Sequence, residues 1–168
     1  MGQAFKAAAA LVRAAESEAT AVTEELDGPE RQALRRAYGE GSTGKGVATA
    51  IRGGAGAMSD LEARQKSRAT RVKRDSLDRA LLDLASYYRD VLAVQLGAEV
   101  ELANAGRADE LHELAGACGP AETVRRIEAI MKCRERLELN VAPLLAVEEL
   151  TLSLTGQAGM PGAGLGTR

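Results

Sequence analysis

The 168-residue sequence predicts an all-α fold, a helical bundle of about five helices preceded by a helical arm and a Gly-rich linker, on three observations. Aromatic residues make up only 2% of the chain (Phe5, Tyr38, Tyr87 and Tyr88, with no Trp), while Ala, Leu and charged residues dominate. That profile suits helices and not a β-sandwich or barrel. Leu77, Leu81, Leu84, Tyr88 and Val91 recur at steps of four and three, the spacing of one helix face. Gly97, Gly119-Pro120 and Pro143 then supply helix stops and starts at plausible intervals. With 45% hydrophobic and 27% charged residues, the chain has material for one core plus loose ends.

Residues 1–38 read as an alanine-rich helical arm. Its apolar positions are mostly Ala, which bury little area per turn. Asp27-Gly28-Pro29-Glu30 is a stop and restart signal, so two weakly packed helices are expected here. Residues 39–57, dense in Gly, read as a flexible linker. Ser59-Asp60-Leu61-Glu62 is a capping box and sets an expected helix start. A helical domain over 58–155 follows. Its first part is one helix to Gly97 or two with a break near Arg74, Asp75 or Ser76 being the alternative cap. Arg79, Asp83, Arg89 and Asp90 fall off its apolar stripe. Ala108 to Ala117 forms a short helix, and Pro120 opens another with Val124, Ile127, Ile130 or Met131, and Leu137 on one face. Asn140 is the expected N-cap of a last, very apolar helix containing Leu144, Leu145, Val147, Leu150, Leu152 and Leu154. The tail, 156–168, has no periodicity and reads as disordered.

Charge excludes some functions. With 22 Lys and Arg against 24 Asp and Glu, the net charge of -2 rules out a globally basic nucleic-acid binder, and only a local patch remains. That patch is Arg64, Lys66, Arg68, Arg71, Lys73 and Arg74, six cations in eleven residues. Such runs are usually solvated helix surface, and the alternative is weak contact with DNA phosphates. No aromatic is interleaved for base stacking. Gly39 to Gly46 nearly spells a phosphate-binding loop around Lys45, which would make a nucleotide hydrolase. However, Gly46 replaces the magnesium-binding hydroxyl, and no strand precedes the loop. His112, Cys118 and Cys133 are too few and wrongly spaced for zinc. No metal, no cofactor and no catalytic residue is expected. Two cysteines and the absence of a signal-peptide pattern point to reduced thiols and a cytoplasmic location. The longest apolar run, Ala7 to Val12, falls far short of the roughly 20 residues that span a bilayer.

Several long, ordered strings carry a resemblance. They are Asp60 to Arg71, Arg74-Asp75-Ser76-Leu77-Asp78, Tyr88-Arg89-Asp90-Val91-Leu92, Arg125 to Ile130, Cys133-Arg134-Glu135, and Asn140 to Glu148. Over about Ala7 to Leu154 the chain resembles the C-terminal, collar region of the delta-prime subunit of actinobacterial DNA polymerase III. The resemblance implies a helical assembly domain in DNA replication. Such a domain holds the pentameric clamp loader together, with the gamma or tau and delta subunits as partners, while ATP drives loading of the sliding clamp onto primed DNA. It implies an accessory part of a DNA-directed DNA polymerase, a nucleotidyltransferase, with no catalytic site in this chain. The family's ATPase-like modules, zinc-binding segment and serine-arginine-cysteine motif lie upstream of the matched region. Ser67-Arg68-Ala69 does not supply that motif.

Two surfaces are expected to act. The last helix offers Leu144, Leu145, Glu148, Glu149, Thr151 and Leu152 to neighbouring subunits, and reversing Glu148 and Glu149 is expected to weaken assembly without unfolding. The six cations at 64–74 are the alternative, a nucleic-acid-binding helical module.

Overall fold

The computed structural model describes residues 2–38 and 47–156, with side chains described for 2–38 and 54–155. The fold is all-α. Five helices, α1 (Gly2–Ala37), α2 (Val47–Leu96), α3 (Ala108–Ala117), α4 (Pro120–Glu138) and α5 (Pro143–Gly156), are joined by short connections, with one 3-10 turn at Ala105–Arg107. There is no strand among the described residues. No described helix is long and apolar enough to cross a membrane. The near phosphate-binding loop with Lys45, and the tail over 157–168, lie outside the described residues.

Two compact units form, Met1–Val12 with Leu77–Arg168, and Arg13–Ser76. Both boundaries fall inside long helices.

In the 13–76 unit, α1 and α2 run antiparallel, as the order of their contacts shows. Lys73 pairs with Glu16, Arg68 with Asp27, and Gly54 faces Tyr38. The buried positions of α1 are small or polar, Ala15, Ala19, Thr23 and Asp27 at steps of four. Small side chains let a neighbouring helix axis approach closely. At Gly54 the approach is tightest, since a Cβ there would meet the Tyr38 Cβ at 3.1 Å.

Two expectations change here, and one open choice, between one helix and two over 59–96, resolves to one helix. Helix α1 does not break at Gly28-Pro29, because Pro29 lies inside it. An interior proline costs about 3 kcal/mol. The residues around it are tied to α2 by hydrogen bonds and ion pairs, which offset that cost. Helix α2 begins at Val47, before the Ser59 capping box, so Ser59 is an interior, exposed helical residue and not a cap. Glycine costs only about 1 kcal/mol against alanine in a helix, and the Ala and Met between these glycines favour continuing it. Nor is there a second cap near Arg74. The helix passes through to Leu96, with Ser76 buried in its interior.

In the other unit, Leu77, Leu81 and Val91 are fully buried, with Leu84 and Tyr88 half-buried beside them. Leu111, Ile130, Leu137, Ala146, Val147 and Leu150 complete the core from α3, α4 and α5. Ala4, Ala8 and Val12 of α1 are buried in the same unit. Helix α2 ends on Gly97, whose φ of 61° lets the Ala98 N–H reach back to the Ala93 carbonyl at 2.9 Å. Asn140 does the same at the end of α4. It sits at φ 62°, and the Val141 N–H donates to the Arg136 carbonyl at 3.0 Å. Asn140 therefore closes α4 and is not the N-cap of α5. Asparagine is among the few non-glycine residues that tolerate this conformation. Pro143 is the first residue of α5, where its missing N–H costs nothing.

The face of α4 is rotated from the expected one. Thr123, Arg126, Ile130, Cys133 and Leu137 are buried, while Val124 and Met131 are exposed. Burial of Arg126 is possible because Glu122 takes one of its guanidinium nitrogens at 2.5 Å and the Tyr88 ring lies 5.7 Å from its carbon.

Candidate functional site

Three places hold the polar and exposed apolar groups on which a function can rest. The first is the α1–α2 pair of the 13–76 unit. The Gln65 side chain is buried and links both partners. Its Nε2 donates to the Asp27 carbonyl at 3.2 Å and to Glu30 Oε2 at 3.2 Å, and its Oε1 accepts from Arg31 Nε at 2.7 Å. Arg68 donates to both Glu30 oxygens at 2.8 and 2.9 Å and lies 3.2 Å from the Asp27 carboxylate. The Arg68 and Gln65 hydrogen bonds hold the Glu30 carboxyl below the usual carboxylate range. These contacts fix the register between two helices that alanine stripes alone would leave free to slide.

They also divide the six cations of the basic run. Arg68 and Lys73 are bound to acidic groups of α1, and Arg74 has an intramolecular interaction as well. Arg64, Lys66 and Arg71 are exposed. Arg64, Ser67, Arg68 and Arg71 line a surface groove of about 410 Å³ that Val72 and Asp75 close. A second groove of about 450 Å³ runs between Arg64, Arg68 and Leu61 on one side and Ala33, Leu34 and Ala37 on the other. The solvated-face reading thus holds for part of the run, with Arg68 and Lys73 joined to α1.

The second place is the end of α2. Asp90 is fully buried although it lies off the apolar stripe, because the segment after α2 folds back over it. Its Oδ2 accepts from the Asn104 N–H at 2.7 Å and the Asn104 amide at 2.8 Å, while Arg89 donates to Oδ1 at 2.9 Å. Burial raises its pKa, but the bonds from Asn104 and Ala103 and the Arg89 charge outweigh that, leaving it below the usual value. Arg107 stacks 4.6 Å from the Tyr87 ring centroid, and Tyr87 and Tyr88 meet edge to face at 6.0 Å. This set is structural, a buried carboxylate holding a loop.

The third place is the α4–α5 corner. Ala146, Val147 and Leu150 of α5 are buried, but Leu144 and Leu145 remain 41% and 60% exposed, and Leu139 just before them 70%. Thr151 and Leu152 are half-buried. Glu149 pairs with Lys132 at 3.1 Å and with Arg136, both on α4. Glu148 is half-buried. Reversal of Glu149 would act on the corner's own ion pairs as well as on any partner. Lysine at 149 would face two cations of its own chain.

No family model, no curated protein and no solved structure matches this chain.

Cys133 is buried, its thiol pushed up to about 11 by burial and by the Glu149 charge, against a smaller opposing effect of Arg136. Cys118 is half-buried, with its Sγ 3.5 Å from Arg126 Nη1. His112 is exposed. Among the described residues no three His, Cys, Asp or Glu side chains gather as a metal site. Periodicity could not have flagged Asp90, Gln65 or Arg126. Each is polar, and each is buried only because a partner distant in sequence supplies its hydrogen bonds or its ring. For Glu30 and Arg68 the sequence held a weak signal, since opposite charges on successive helices often meet.

Proposed function

We propose that this chain is an assembly domain of the clamp-loader delta-prime type, acting in the cytoplasm to hold gamma or tau and delta subunits together during loading of the sliding clamp. In that role it contributes no chemistry. It serves a DNA-directed DNA polymerase by fixing the geometry of subunits that do the chemical work.

The α4–α5 corner carries the proposal. A helix whose inner face fills a core and whose first turn still exposes two adjacent leucines has more apolar area than its own unit uses. Full burial of a leucine is worth about 1.5–3 kcal/mol, so covering the exposed parts of Leu139, Leu144 and Leu145 would contribute several kcal/mol to association. The resemblance of the ordered strings to the delta-prime collar region is what suggests the kind of partner.

The test is the double variant Leu144→Asp with Leu145→Asp. Both positions lie in the first turn of α5, which has no acidic residue, so aspartate there also suits the helix dipole. The helical signal and unfolding midpoint should stay near those of the parent. Co-purification with gamma or tau and delta should fall at least tenfold. Undiminished co-purification would remove this corner as the interface.

A further inference from the structure

We infer that the exposed flank of α2 carrying Arg64 and Arg71 is a sequence-independent contact for the phosphate backbone of a nucleic acid. The inference stands apart from the assembly role. It rests on the division of the basic run rather than on its total charge.

Ion pairs with α1 explain why Arg68 and Lys73 are cationic, since those charges hold the helix pair together. They do not explain Arg71, which stands in solvent, and for the exposed Arg64 they leave only a weak attraction to Glu30. Arg64 and Arg71 line one groove together with the Ser67 hydroxyl. Seven residues of helix rise about 10 Å, so these two arginines are staged along a line rather than converged on one point. That staging suits a chain of phosphates better than a single phosphate ion. Arginine's planar fork matches phosphate oxygens, and a serine hydroxyl between two such forks can donate to the same strand.

Other polyanions fit less well. No large apolar side chain between residues 62 and 75 is exposed, so the flank lacks the apolar face that holds a helix at a membrane surface. With no aromatic residue on the flank there is no stacking platform, so sequence preference is absent. Carboxylates stand close by: Asp60, Glu62 and Asp75 along α2, with Asp75 in the groove itself, and Glu30 of α1, which feels the Arg64 charge. Their repulsion keeps binding weak and dependent on salt.

The experiment is fluorescence anisotropy of the full chain with a labelled oligothymidylate and with a duplex of mixed sequence, between about 50 and 200 mM NaCl. Two phosphate contacts predict a log–log salt slope of about -1.8 for duplex and about -1.4 for single strand. Over that fourfold range the affinity falls about 12-fold and about 7-fold. The double variant Arg64→Gln, Arg71→Gln should keep the parent's helical signal, because neither is buried. It should bind at least tenfold more weakly, with a slope near zero, while Lys66→Gln, on the opposite side of the helix, should bind as the parent does. Absence of binding by the parent at 50 mM NaCl, or undiminished binding by the double variant, would overturn the inference. So would equal competition by poly-glutamate at matched charge, which would make the flank a general polyanion surface.

Discussion

Replacing Asp90 by alanine should be the most damaging polar substitution in the 77–156 region. The carboxylate is fully buried and accepts two hydrogen bonds from Asn104 and one from Arg89, with the Ala103 N–H also directed at it. A hydrogen bond to a charged group contributes about 1.5–3 kcal/mol, and a buried donor left without an acceptor costs about 1–3 kcal/mol. Asn104 is half-buried and Arg89 exposed, so water compensates part of the loss. The net cost is then about 3 kcal/mol, or about 6–12 °C in Tm for a chain of this length. Asp90→Asn keeps an acceptor oxygen but loses the charge, and should fall between. The pH dependence carries a sign. Because the folded-state pKa lies below the ordinary value, the stability that Asp90 contributes is present above about pH 4 and is lost as the pH falls through the folded-state pKa. The parent-minus-variant difference should thus be flat from about pH 8 to pH 5 and shrink only in stronger acid. Thermal unfolding followed by far-ultraviolet circular dichroism over that range measures it. A difference below about 0.5 kcal/mol at neutral pH, or one that shrinks already between about pH 7 and pH 5, would refute the reasoning.

Gln65→Leu removes the amide that joins Asp27, Glu30 and Arg31, leaving their groups without that partner. It should cost about 1–2 kcal/mol in urea unfolding, and a variant as stable as the parent would mean that the network does not hold the α1–α2 register. Ellman's reagent at about pH 8 should titrate Cys118 first. With its thiol near 11, Cys133 is about one part in a thousand thiolate at that pH and should react only after unfolding. Two thiols reacting at equal rates in the native protein would contradict its burial. Leu81→Ala, at a fully buried site between Leu77 and Leu84, should cost about 2–5 kcal/mol by the same unfolding measurement.

The helical class and most helix ends were legible because they depend on local rules. Leu77, Leu81 and Val91 form the buried face their spacing predicts, and α3 spans Ala108–Ala117 as expected. What was not legible depended on partners distant in sequence. Pro29 reads as a break until Gln65 and Arg68 are seen holding the residues around it. Asn140 reads as a cap for the helix that follows, but its left-handed backbone serves the one before. Asp90 and Arg126 look like surface residues, and their burial is stabilised by Asn104 and Arg89 for the one and by Glu122 and Tyr88 for the other. At the α4–α5 corner the apolar character of Leu144 and Leu145 was plain from sequence. Their exposure was not, since periodicity cannot tell a core face from an uncovered one.

Co-expression of the full chain with gamma or tau and delta subunits, followed by the mass of the purified complex in solution, tests the assembly role most directly. The account predicts a stoichiometric complex that survives size-exclusion chromatography and is lost in the Leu144→Asp, Leu145→Asp variant. A chain that elutes alone, at the mass of one copy, would contradict it.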